Sequence, residues 1–256
     1  MRKTIFNLSS IAVLVLTLVS CNKEETIDQP VDTRDIADDV ASVVGISNSG
    51  LSFEIIDVAQ LANEYDSKAT LETDFLKSAQ GDTIRTVDTT FMRRNPNGWA
   101  FTYQYSFNME YGYVFEGAQL ASIYYRGNNN GVVDAPRIGS SESRSSTWEM
   151  TGLELNSAAY VFNGTTMREG QSASKVRRRS SMNSNSQVRL SDVKVDKSTL
   201  AIVSGTLRWA ISGTVNGQSF NFEFEVKYLG DNIAEVTING DYYKIDVYNG
   251  EVMNAE

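Results

Sequence analysis

The chain has 256 residues, 41% of them hydrophobic, which is enough for a sizeable core in one large domain or two small ones. Its formal net charge of −9 argues against nucleic acid as a partner, because phosphate binding needs a clustered basic surface. There is no histidine and one cysteine, Cys21. This composition excludes a Ser-His-Asp triad, a Cys-His pair, a histidine-ligated zinc site and an intramolecular disulfide. We therefore expect no cofactor and no metal.

Residues 1–20 have the pattern of a secretory signal peptide. Arg2 and Lys3 precede the short apolar run Ile11–Val19, which at about 1.5 Å per helical residue cannot cross a hydrocarbon core about 30 Å thick. The run ends in Leu-Val-Ser-Cys at residues 18–21, which resembles the lipobox of bacterial lipoproteins. The resemblance implies that Cys21 is the site of lipid attachment and that the chain is held to a membrane by this lipid.

Residues 21–31 contain the lipidated cysteine and a polar stretch with Pro30, which predicts a flexible tether. The Lys-Glu-Glu sequence at residues 23–25 resembles the export signal of Bacteroidetes lipoproteins that reach the outer face of the outer membrane. The resemblance implies an outer-membrane lipoprotein, with the cell surface and the periplasmic face both open as locations. Residues 32–256 are then expected to form a single domain.

Two amphipathic helices are predicted at the start of this domain. The first is capped by Asp32 or Thr33, ends at Gly45, and repeats its apolar residues every four positions. The second runs from about Leu51 to Tyr65 with one apolar stripe. Because their polar faces are acidic, we expect both helices to pack on a sheet and not on a membrane surface.

The strongest strand pattern in the chain is Trp99–Tyr113. Every odd position in it carries a large apolar or aromatic side chain, and every even position is small or polar. Strand side chains alternate between faces, so this is predicted to be one long strand with an aromatic row on one face. The row is expected to fill a core; in a half-open barrel it would instead line a ligand pocket.

Further strands are predicted at 87–91, 118–126, 146–151, 158–168 and 188–195. Between them, Gly127–Ser146 and Gln171–Gln187 are rich in Ser, Asn and Gly, which is typical of loops. The first of these does not have the oxygen spacing of a calcium loop. The acidic residues are expected on outer faces and in loops, where they contribute to solubility.

Turn chemistry fixes the register of the C-terminal strands. A two-residue hairpin loop at Asn216-Gly217 places Trp209 opposite Phe224. A second two-residue hairpin loop is predicted at Asn239-Gly240. The intervening loop is predicted to have three residues, 230–232, which brings Val226 to Val236. A shift of one residue would turn a whole apolar face to water, so these registers are expected to hold.

The predicted fold is mainly β (α+β): a large antiparallel meander sheet, curled or half-barrel-like, with two N-terminal amphipathic helices packed on it. The sequence YVFNGTTMREG at 160–170, the basic segment after it and the C-terminal FEFEVKYLGDNIAEVTINGDYYKIDV are similar to a group of uncharacterised Bacteroidetes lipoproteins. The resemblance implies a lipobox, a helical N-terminal part and a long β-meander. It transfers no functional residues.

One basic cluster stands out in this acidic chain: Lys175, Arg177, Arg178 and Arg179. It is a candidate contact for anionic lipid headgroups, lipopolysaccharide phosphates or an acidic polysaccharide. The alternative is a solvated hairpin, or an edge strand whose charges prevent aggregation. No catalytic residue is predicted.

Three functions remain open from the sequence. The first is a lipid-anchored, non-enzymatic envelope protein that presents a β-rich domain for binding an envelope protein or a glycan. The second is a carrier of an apolar ligand or a lipoprotein, built as a half-barrel with a helical lid. The third is a carboxylate-based glycosidase, which requires two acids that converge in a groove.

Overall fold

The structure, a computed structural model, describes residues 31–69, 83–94, 102–116, 119–134, 137–176 and 180–253. Two helices come first, α1 (Thr33–Val44) and α2 (Leu51–Ala69), as predicted, although α2 continues past Tyr65. Eleven strands follow within these ranges. They are β1 (Thr83–Arg94), β2 (Thr102–Glu116), β3 (Gln119–Asp134), β4 (Ile138–Thr151), β5 (Ala159–Ser174), β6 (Ser181–Asp196), β7 (Ile202–Val215), β8 (Gln218–Gly230), β9 (Ile233–Ile238), β10 (Asp241–Asp246) and β11 (Glu251–Val252).

All described strands belong to one antiparallel sheet whose spatial order is the chain order, β1 to β11. The sheet is curled into a half-barrel and the two helices accompany it, so the predicted fold class is confirmed. A meander of this kind needs only short connections, because each strand pairs with the next one along the chain.

The predicted registers of the C-terminal strands are confirmed. Trp209 lies opposite Phe224, and Val226 lies opposite Val236. The turn between β8 and β9 differs in detail, because Gly230 pairs with Ile233 after a bulge and leaves a two-residue turn. The bulge supplies the extra residue that the sequence assigned to a three-residue loop, so the apolar faces stay aligned.

Helix α1 lies against the last strands of the sheet. Asp32 caps it by accepting a hydrogen bond from the Arg34 amide at 2.9 Å. Its apolar residues Ile36, Val40 and Val44 are fully buried. The segment after α1 is hydrogen-bonded to the residue that follows β10, because the Ile46 amide donates to the carbonyl of Val247 at 2.8 Å. At its start the Thr33 hydroxyl donates to Asp241 of β10, so the first helix is fixed at both ends to the C-terminal part of the chain.

Helix α2 covers the inner face of the sheet. The Phe53 ring lies 5.8 Å from the Phe107 ring of β2, and the Ser52 hydroxyl is 2.8 Å from the Tyr228 hydroxyl of β8. The side chains of the aromatic row that the structure describes are buried: Tyr103, Tyr105, Phe107, Met109, Tyr111 and Tyr113. Trp99 and Phe101 of this row lie outside the described residues. The described row is packed under the helices and belongs to the core.

Two segments predicted as loops are largely strand. Residues 127–134 continue β3 and residues 138–146 begin β4, while 171–174 end β5 and 181–187 begin β6. The loop prediction was wrong here because most inward-facing positions of these segments carry Ser, Asn, Gly or charged residues, so no sustained apolar alternation marks the strands. Gly131 shows one reason for this composition: a Cβ there would lie 2.0 Å from the Tyr105 ring.

Candidate functional site

The structure places one of the sequence-predicted site residues. Lys175 follows the end of β5, is exposed, and forms an ion pair with Asp134 at the end of β3. Its amide also donates to the carbonyl of Arg137 at 2.8 Å, so it links the β3–β4 and β5–β6 turns. Cys21 and residues 177–179 lie outside the described residues. Within the described ranges, no helix is long and apolar enough to span a membrane.

A buried ionic cluster lies between the helices and the inner face of the sheet. Each helix contributes one carboxylate, and β4 and β5 contribute the rest. The members are Asp39 of α1, Glu54 of α2, Glu142 and Arg144 of β4, and Arg168 of β5. Their side chains are at most 3% exposed. The expectation that acids lie on outer faces and in loops is therefore wrong for Asp39, Glu54 and Glu142.

Arg168 binds two carboxylates at once. Its two terminal nitrogens donate to the two Asp39 oxygens at 2.9 and 3.0 Å, and its Nε donates to Glu142 at 2.5 Å. The Ser184 hydroxyl accepts a further bond at 3.0 Å. A planar guanidinium suits this arrangement because its donors form a fixed fork that matches a carboxylate.

Arg144 makes the second bridge. Its Nη2 lies 2.8 Å from Glu54 and also donates to the carbonyl of Ser49 at 2.8 Å, while its Nε lies 3.3 Å from Glu142. The guanidinium sits 5.3 Å from the centre of the Tyr105 ring. Arg144 thereby joins α2, the loop before it and the aromatic row of β2 to the centre of the sheet.

Two buried tyrosines also donate hydrogen bonds to the carboxylates. Tyr105 donates to Glu142 at 3.0 Å, and Tyr125 donates to Glu54 at 3.0 Å. Burial, followed by the neighbouring carboxylate, raises the pKa of each phenol well above its ordinary value. Both tyrosines therefore stay protonated and act as donors.

The three carboxylates differ in the direction of their net pKa shift. Burial raises the pKa of Asp39 and of Glu54, and the arginine beside each one offsets only part of this effect. Burial acts on Glu142 in the same direction, but Arg144 and Arg168 together outweigh it and lower its pKa. Glu142 is thus the carboxylate that most favours the charged form, because it is shared by two guanidinium groups.

This cluster fastens the helices to the sheet and does not form an open reactive site. Its charged groups are sealed from solvent and bonded to one another, so a substrate has no access to the paired acids. Removing one partner of a buried ion pair is strongly destabilising, because it leaves an uncompensated charge in the interior. We infer that the cluster determines how α1 and α2 sit on the inner face.

The opposite pKa shifts predict different effects for two isosteric substitutions. Glu142→Gln is expected to lower the free energy of unfolding by about 3 kcal/mol or more near neutral pH, because both buried arginines lose a shared counterion. Glu54→Gln is expected to have a smaller effect, because the carboxylate of Glu54 is destabilised by its own burial. Urea unfolding of both variants measures the difference, and a larger loss for Glu54→Gln would contradict the assignment.

The same substitutions should change the pH dependence of stability. The pKa of Glu142 is lowered from 4.5, so its contribution is present above that value and is lost as the pH falls through its folded pKa. Stability should therefore decline less at acid pH in Glu142→Gln. For Asp39 and Glu54 the sign is reversed: their contribution is present at low pH and is lost as the pH rises through their raised pKa values.

The outer face of the sheet has a different character. Cross-strand partners from β2 to β8 line up in three adjacent rows, which we call the polar rows. Their members are Asn108, Asn128, Ser145, Met167, Gln187, Ala210 and Glu223; Ser106, Asn130, Ser143, Glu169, Asn185, Ser212 and Asn221; and Gln104, Val132, Ser141, Gln171, Asn183, Thr214 and Ser219. Most of these side chains are exposed amides or hydroxyls, and only Glu169 and Glu223 are charged.

Two open grooves run along the polar rows. One has a volume of about 610 Å³ and the other about 890 Å³. Asn130, Ser143 and Asn185 line both grooves. Seven strands about 4.8 Å apart give the rows a width of about 29 Å. The small Ser and Asn side chains leave the grooves open and present both donors and acceptors to a ligand.

A fourth row lies beside the polar rows and carries five charged side chains. It consists of Glu110, Arg126, Thr147, Thr165, Arg189, Arg208 and Glu225. Arg208 lies opposite Glu225, and its Nε is 3.2 Å from the Glu225 carboxylate. The outer face therefore combines a wide, mainly uncharged hydrogen-bonding surface, which includes Glu169 and Glu223, with a charged row beside it.

The sequence contains a signal for the buried cluster that apolar patterning alone misses. Trp148 and Met150 face inward on β4, and counting back from Trp148 in steps of two gives Ser146, Arg144 and Glu142. The same count forward from Phe162 on β5 reaches Arg168. Charged residues at inward positions on adjacent strands thus indicate a buried ionic cluster.

Comparisons with known proteins identify no relative of this chain. No family model matches it, and neither the curated proteins nor the solved structures give a significant match. The functional residues must therefore be identified from the burial, charge and register of this chain alone.

Proposed function

We propose that this protein is a lipid-anchored protein of the bacterial outer membrane that binds a polar component of the cell envelope through the outer face of its sheet, without catalysis. The observation that carries the proposal is the set of polar rows with their two grooves. In a chain with a net charge of −9, a broad face that consists mainly of amides and hydroxyls is a surface suited to hydrogen-bonding a polar partner.

Two other features favour binding over the alternative functions. The described aromatic row is packed against α2, which weighs against a carrier with an apolar cavity under a helical lid. The three acids of the ionic cluster are sealed among arginines and tyrosines, whereas a glycosidase needs two acids that reach a substrate. A binding face on the outside of the sheet agrees with both features.

The anchor is the first part of the proposal to test. The intact lipoprotein is expected to incorporate labelled fatty acid and to begin at Cys21, because the lipobox directs acylation and cleavage at this residue. Cys21→Ser is expected to abolish the label and leave residues 1–20 attached. Mass spectrometry and palmitate labelling measure both effects. Equal labelling of the wild type and Cys21→Ser would contradict a lipid on this cysteine.

The binding face is tested with charge placed in the grooves. Asn185→Lys is expected to reduce binding of the detergent-solubilised lipoprotein to a washed, delipidated envelope fraction by about tenfold or more. Thr237→Lys, on the exposed face of β9 and outside the polar rows, is the matched control and should bind normally. Both variants should keep the free energy of unfolding within about 0.5 kcal/mol of the wild type. Equal binding by all three proteins would rule out this face.

A further inference from the structure

We propose that Arg189 and Arg208 bind the acidic group of an anionic polysaccharide whose sugar hydroxyls lie along the adjacent polar rows. The inference rests on the proposed function and names the class of ligand. Arg189 of β6 and Arg208 of β7 are direct cross-strand partners on the outer face. Both are exposed, and the side chain of Arg208 is 67% accessible.

The placement of these two arginines is unfavourable for the folded protein by itself. Directly opposed side chains on antiparallel strands have Cβ atoms about 4.5–5.5 Å apart, and like charges at this distance repel. Arg208 is compensated by Glu225 at 3.2 Å. Across β5, the neighbour of Arg189 is Thr165, and within the described part of the chain Arg189 makes no ion pair. An anion bound between these two side chains would relieve their repulsion, so the pair favours anion binding.

The neighbouring residues indicate which kind of anion fits. The row next to the arginine pair holds Met167, Gln187 and Ala210, and the row beyond it holds Asn185 and Ser212 together with one acid, Glu169. Amides and hydroxyls pair with sugar hydroxyls as donors and acceptors, while Arg189 supplies an uncompensated positive charge for one carboxylate and Arg208, already paired with Glu225, supplies further N–H donors. This combination matches a chain of sugars with separated acidic groups.

Other anionic partners fit the surface less well. A nucleic acid carries one charge for each nucleotide and would need more cations than this border provides in a protein of net charge −9. A lipid headgroup needs cations beside apolar side chains that enter the bilayer, whereas the rows beside Arg189 are mainly polar. The acidic polysaccharide is therefore the partner with complementary charge and hydrogen bonding.

The test measures binding of the detergent-solubilised lipoprotein to polygalacturonate, with dextran as the uncharged polysaccharide. Arg189→Gln and Arg208→Gln are each expected to weaken binding to polygalacturonate by about tenfold, and salt should weaken wild-type binding. Arg126→Gln is the matched control, because Arg126 lies in the same row but opposite Glu110. It should retain binding within about twofold. Dextran should bind weakly and equally to all four proteins.

Urea unfolding distinguishes a binding role of Arg189 from a structural role. Arg189→Gln removes a like-charge contact and should leave the unfolding midpoint in urea unchanged or raised. A lowered midpoint together with lost binding would overturn the inference, because Arg189 would then support the fold.

The identity of the anion is tested by competition. Glycerophosphate, the soluble headgroup of an anionic lipid, should compete at least tenfold less well than galacturonate oligomers. Equal competition, or unchanged binding to polygalacturonate in Arg189→Gln, would overturn the inference. If Arg189→Gln binds the envelope fraction normally while Asn185→Lys does not, the proposed function stands and this ligand class is wrong.

Discussion

Replacement of Arg168 by methionine is expected to lower the free energy of unfolding by about 3–5 kcal/mol, the range measured when one partner of a buried ion pair is removed. Arg168 provides the two bonds to Asp39 and one of the two guanidinium contacts of Glu142. Without it, no other cation among the described residues forms an ion pair with the buried Asp39 carboxylate. Urea unfolding measures the loss, which should be accompanied by weaker docking of α1.

Two further variants give this prediction its controls. Arg208→Met removes an exposed ion pair with Glu225 and should cost about 1 kcal/mol or less. The double variant Arg168→Met, Asp39→Leu should recover part of the lost stability, because it removes the orphaned carboxylate while Glu142 keeps Arg144. Equal losses for Arg168→Met and Arg208→Met would show that the ionic cluster does not fasten the helices.

Replacement of Trp148 by alanine is expected to cost about 3–5 kcal/mol, as is typical when a large buried aromatic side chain is removed. The indole is 1% exposed, its ring lies 4.6 Å from that of Tyr125, and its Nε1 donates to Thr166 at 3.1 Å. The substitution leaves a cavity between β3, β4 and β5 beside the ionic cluster.

The control for Trp148 is an aromatic residue on the opposite face. Tyr124 of β3 is 41% exposed, and Tyr124→Ala should change the free energy of unfolding by about 0.5 kcal/mol or less. Trp148→Phe should have an intermediate effect, because it keeps an aromatic ring and loses the hydrogen bond. A loss below about 1 kcal/mol for Trp148→Ala would contradict the assignment of an inner core face.

The sequence predicts those parts of the fold in which one face is apolar. The hairpins from β7 to β10 could be aligned by residue number because turn chemistry and apolar alternation agree there, as at Trp209 and Phe224. Helix α1 was equally clear, because a capping acid precedes a regular apolar stripe. In these elements the local sequence signals and the tertiary packing favour the same structure.

The central strands were harder to predict because their inner face is polar over part of its length. Glu142, Arg144 and Arg168 occupy positions that elsewhere carry aromatic or aliphatic residues, so hydrophobic periodicity ends where the ionic cluster begins. The position of Asp39 and Glu54 opposite these arginines depends on how the helices dock, which no local pattern encodes. The polar rows were missed for a related reason, since they emerge only when the registers of seven strands are combined.

The central claim is that the outer face of the sheet is the binding face, and oxidative footprinting of the protein on the delipidated envelope fraction tests it most directly. Met167 lies in the polar rows and is 54% exposed, while Met253, after β11, is 41% exposed and lies outside those rows. Binding is expected to slow sulfoxide formation at Met167 several-fold and to leave Met253 unchanged. Unchanged oxidation of Met167 in the bound protein would contradict the claim.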